Sequence, residues 1–139
     1  YSSAGYAAYA AGLGLHFPED VRGITSGKIT AVDAGVYLNA MYGYMQYGQH
    51  GGLLKEHLMN TRNRMISSQY PIARKYGWDK NAYHDIAIVY APHPYLLAIL
   101  TDKGAGTAAE TAMFGKISRT IEEMMLPKWN EVDEILTGQ

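Results

Sequence analysis

Hydrophobic and polar positions change period twice along this chain. Up to about residue 65 the apolar residues recur three and four apart. Between Ile72 and Thr101 they run almost continuously, and from Thr107 they return to helical spacing. In the first part, residues 2–12 are rich in Ala and Tyr, with Tyr6, Tyr9 and Leu13 on one helical face; a short helix ending at Gly12 or Gly14 is predicted. Residues 15–29 read as a loop. Thr30 then opens a helix through Tyr47: its hydroxyl caps the first turn while Asp33 reaches back to the cap, and Val32, Val36, Ala40, Met41 and Met45 make the apolar stripe. After the break GQHGG at 48–52, a further helix is expected over 53–65. Leu54, Leu58, Thr61 and Met65 face inward there, and Lys55, Glu56, Asn60, Arg62 and Arg64 face solvent.

The middle part reads as three strands, over 72–77, 85–90 (DIAIVY) and 95–101 (YLLAILT). WDKN at 78–81 and APHP at 91–94 supply the turns. Connections this short predict an antiparallel meander, since parallel neighbours need a crossover of a dozen or more residues. Runs this apolar suit a sheet covered on both faces. Gly104, Ala105 and Gly106 turn the chain, Thr107 and Glu110 form a second capping box, and Met113, Phe114, Ile117, Ile121, Met124 and Met125 form a stripe that Pro127 should stop. From Trp129 on, Val132, Ile135 and Leu136 suggest one short extra turn. With no internal repeat and no low-complexity stretch, the reading is a single α+β domain over 1–139, an antiparallel sheet covered by helices.

Composition narrows the function classes. A chain of 139 residues with 47% hydrophobic and 18% charged residues is globular, and at this length it buries roughly 68% of its unfolded surface. The net charge of −1 without any block of like charge favours neither nucleic acid nor an anionic membrane. The absence of Cys removes disulfides and a thiolate nucleophile. No apolar run approaches the roughly 20 residues of a membrane-spanning helix. His16, His50, His57, His84 and His93 are scattered without metal-ligand spacing, so neither a metal nor a cofactor is expected. His84 and Asp85 read as a structural hydrogen-bonded pair ahead of a strand. The chemistry concentrates at Lys75, a basic residue at the end of a strand and two before Gly77; on its residues alone, a lysine snorkelling from a strand end into water is the competing reading. Arg74 reads as a surface strand arginine, with a second anion contact as its alternative role. Most of the 12 Tyr fall at core spacing.

Lys75-Tyr76-Gly77, followed by HDIAIVY, PYLLAILT and an amphipathic helix, resembles the C-terminal part of the penicillin-recognising serine hydrolases, the class A β-lactamase-like enzymes and their D-alanyl-D-alanine peptidase relatives. The resemblance runs from about Gly23 onward and places the family's Lys-Thr/Ser-Gly motif on Lys75, Tyr76 and Gly77, with Tyr76 replacing the small hydroxyl residue. It implies that Lys75 attracts the carboxylate of a β-lactam or of a peptidoglycan stem peptide, and that the backbone N–H of Trp78 donates to the oxyanion. Arg74, Tyr76 and Gly77 would line the substrate. The family's Ser-x-x-Lys nucleophile motif is absent: none of the serines has Lys three residues later. The expectation is therefore the back half of such a domain, lacking its N-terminal part, with the nucleophile outside these residues and a complementary segment or second chain as partner. Tyr1-Ser2-Ser3 sits where the family carries Ser/Tyr-x-Asn, Ser3 replacing Asn, and Glu19-Asp20 where class A enzymes carry their deacylating Glu. The resemblance also implies an extracytoplasmic setting. The rival reading is a non-catalytic module that binds peptidoglycan or a protein on the same fold.

Overall fold

The computed structural model describes residues 3–16, 29–102 and 107–138. Its order is α1 (Ser3–Gly12), α2 (Ala31–Tyr47), α3 (Gly51–Met59), β1 (Ile72–Asp79), β2 (Ala82–Val89), β3 (Tyr95–Thr101) and α4 (Ala108–Thr137). The strands form one antiparallel sheet in the order β1-β2-β3, so the α+β meander is as expected. The first hairpin is tighter than its turn formers suggested. Trp78 pairs with Tyr83 and Asp79 with Ala82, leaving only Lys80 and Asn81 in the turn.

Strand alternation sorts the core into two layers. Ala73, Ile86 and Ile88 face Leu38, Met41 and Met45 of α2 and Leu54 and Leu58 of α3. Ala87, Leu97 and Ile99 face Phe114, Ile117 and Ile121 of α4, together with Met65 and Ile66. Helices thus cover both faces. The inward face of α2 is shifted from the expected one: Ala34, Leu38 and Met45 are buried, whereas Val32 is 67% exposed.

Both capping boxes form. The Thr30 hydroxyl accepts from Asp33 N–H while the Asp33 carboxylate accepts from Thr30 N–H, and Thr107 and Glu110 do the same for α4. Asp33 has a further partner at long range, His16, whose Nδ1 lies 2.7 Å from its Oδ1. This bond, with the N–H groups of Thr30 and His16, holds the Asp33 carboxyl at about 2 despite its burial.

Two helix ends differ from expectation. α3 stops at Met59, six residues early, where Asn60 N–H and Nδ2 both donate to Glu56 O. The chain must leave that layer there, because Met65 and Ile66 pack on the opposite face of the sheet. α4, in contrast, runs through Pro127 for ten more residues. Trp129 anchors the continuation: it is buried against Val89 and Ala91 and packs edge-on to Tyr70 at 6.0 Å. His93 in the β2–β3 turn adds a tie to Asp133, 2.9 Å away.

Candidate active site

β1 is an edge strand, and its hydrogen-bond parity decides what it offers. Tyr90 N–H donates to Pro71 O at 2.9 Å, and the register continues through Ile72↔Val89 and Lys75↔Ile86. Hydrogen-bonded pairs alternate in an antiparallel ladder. Ala73, Lys75 and Gly77 therefore turn their backbone groups toward β2, while Arg74, Tyr76 and Trp78 turn theirs to the open edge. Two contacts agree with this parity. Arg74 O lies 3.1 Å from the Thr61 hydroxyl, and Tyr76 O accepts from Lys75 Nζ at 2.7 Å.

The lysine side chain thus folds back to the same edge, with its ammonium 5.0 Å from the Tyr76 ring centroid. Among the described residues no carboxylate pairs with it. Among the described residues one of its three N–H bonds is used, the one to Tyr76 O. The Trp78 N–H faces the edge two residues further on, and its indole is 62% exposed. Between them, a Cβ on Gly77 would meet none of the described residues within 4 Å. Among the described residues no packing demands glycine there. The open space lies beside an ammonium and an outward N–H, an arrangement that suits a carboxylate-bearing ligand lying along the strand.

The other candidates are placed as follows. Tyr76 directs its half-buried ring to the α4 layer, where it packs on the core cluster, and offers its carbonyl to the edge. Arg74 is not the expected surface arginine. It is 7% exposed, its Nη1 donates to Ile66 O at 2.5 Å, and it lies 3.3 Å from Asp85 Oδ2. The reason is strand parity: Arg74 pairs with Ala87, so Asp85 is its diagonal neighbour on the same face. Asp85 Oδ2 also accepts from the N–H groups of Met65 and Ile66, at 3.3 and 2.9 Å. Burial pushes the Asp85 carboxyl up, against the pull of Ile66 N–H and Arg74; burial likewise pushes the Arg74 guanidinium down.

The hydrogen-bonded His84–Asp85 pair expected from the sequence does not form. The two residues lie within β2 on opposite faces, and His84 Nδ1 accepts from Thr101 N–H at 3.1 Å. Ser3 opens α1, while Tyr1, Glu19 and Asp20 lie outside the described residues. Among the described residues no three His, Asp or Glu side chains gather as metal ligands. The hairpin register held a signal for the Arg74–Asp85 pair, since a two-residue turn at 80–81 already puts the two on one face.

An α+β meander with helices on both faces and a Lys-x-Gly edge strand defines a class of domain. The model of the beta-lactamase enzyme family matches residues 7–125, most of the chain, and the chain belongs to that family. It is, in general terms, a β-lactamase-like serine hydrolase domain. No curated protein matches the chain.

Proposed function

We propose that this chain supplies the substrate-holding edge of a serine hydrolase that acts on β-lactams or on peptidoglycan stem peptides, in an extracytoplasmic setting. The observation that carries the reading is the convergence of the Lys75 ammonium, the outward Trp78 N–H and the open space over Gly77 on one edge. Lys75 attracts the substrate carboxylate, and the Trp78 N–H receives the negative charge that develops on the carbonyl oxygen. A serine supplied from outside these residues attacks the carbonyl carbon. The C–N bond breaks, the amine takes up the serine's proton, and water then hydrolyses the ester. The partner is a complementary segment or a second chain carrying that serine.

The test is intact-mass spectrometry of every chain in the purified material after incubation with a reactive penicillin. A penicilloyl adduct on a serine outside these residues is expected. An adduct on this chain would relocate the nucleophile, and no adduct anywhere would favour the second reading, a non-catalytic module that binds peptidoglycan or a partner protein. The absence of any Ser-x-x-Lys within the sequence is what favours that alternative.

A further inference from the structure

A second place on the molecule gathers positive charge, and Lys75 does not line it. The connection from α3 to β1 folds over the α4 face of the sheet and leaves a cavity of about 400 Å³. This is within the range of small-molecule sites. Arg64, Arg74, Ser67 and Tyr70 line it, with Met59 and Ile72 as apolar wall. Among the described residues no carboxylate lines it. Asp85 lies behind Arg74, and Glu122 lies behind Ser68, which donates to it.

The arginines differ in what already occupies them. Arg74 is more than nine-tenths buried, and both of its hydrogen bonds among the described residues leave from Nη1, to Ile66 O and Asp85 Oδ2. Arg64 is exposed, and among the described residues no carboxylate pairs with it. Its charge is near enough to oppose that of Arg74. Two guanidinium groups facing one cavity repel each other until an anion lies between them, and the planar guanidinium fork matches the two oxygens of a carboxylate or phosphate. The Ser67 hydroxyl, which also lines the cavity, lies 3.5 Å from Ser118 Oγ.

We propose that this cavity binds a small organic molecule carrying a carboxylate or phosphate group, the anion held by Arg64 and Arg74 and the apolar part resting on Met59 and Ile72. Lys75, Gly77 and Trp78 are not among its lining residues, and strand alternation sends the Arg74 and Lys75 side chains to opposite faces of β1.

Isotope-labelled chain titrated separately with benzoate and with inorganic phosphate, followed by amide chemical shifts, tests this. At least one probe is expected to shift the amides of Ser67, Tyr70 and Ile72. The R64Q variant should weaken that binding about tenfold, the loss of one charged hydrogen-bonding partner, and K75Q should leave it unchanged. Benzoate alone or phosphate alone would each support the site and tell the two anion classes apart. Shifts confined to Gly77 and Trp78, binding abolished by K75Q, binding indifferent to R64Q, or no response to either probe would overturn it. Because the readout is at different amides, failure here leaves the Lys75 reading standing, and the reverse holds too.

Discussion

A hydrogen atom is all that Gly77 places beside the open edge of β1, and the described residues around it leave room for more. Glycine inside a strand costs about 0.5–1 kcal/mol relative to alanine. Gly77→Ala should therefore raise the thermal midpoint slightly while weakening penicillin acylation of the complete hydrolase, if ligands use that space. Unchanged acylation would remove Gly77 from the site. Asp33 is the residue whose charge should govern acid stability. Its folded value of about 2 lies below the ordinary 3.8, so its contribution is whole above 3.8 and is lost as pH falls through 2. Thermal midpoints measured from about pH 5 down to about pH 2 should fall more steeply in the native protein than in D33N.

Among the elements, α4 contains the sharpest conflict between local and tertiary preference. Proline inside a helix removes one N–H and crowds the carbonyl four residues earlier, at a cost of about 3 kcal/mol. The helix nevertheless passes Pro127 because Trp129 is held in the core. Pro127→Ala should raise stability by up to about 3 kcal/mol, measured by denaturant unfolding. This conflict also marks how far the sequence was legible. The capping boxes at Thr30 and Thr107 could be read because every partner lies within four residues. The meander could be read because its connections are short. Pro127 misled because the residue that overrides it packs against Tyr70 and Val89, far away in sequence. The end of α3 was hidden for a related reason: the chain stops being helical where it must cross to the other face, and the Asp85 that receives it is twenty residues on. The Lys75 motif was visible, but Arg74's inward turn needed the hairpin register.

For the molecule as a whole, the sheet ends in two different edges. That of β1 is partly occupied by Thr61 and Lys75. Among the described residues β3 pairs with no strand but β2, and its residues 95–100 carry neither charge nor proline to discourage another strand. The isolated chain should therefore associate as its concentration rises, visible by sedimentation, and placing a lysine at Leu96, which is 37% exposed, should reduce this. The two layers are joined by the connection between α3 and β1, and one buried carboxylate oxygen fastens it, accepting from Met65, Ile66 and Arg74 together. A segment without helix or strand ordinarily breathes and trades its amide protons with solvent quickly. Here the amides of Met65 and Ile66 can be released only by uncovering Asp85 in the core. In deuterated water they should be among the last to exchange, at a rate set by opening of the entire domain.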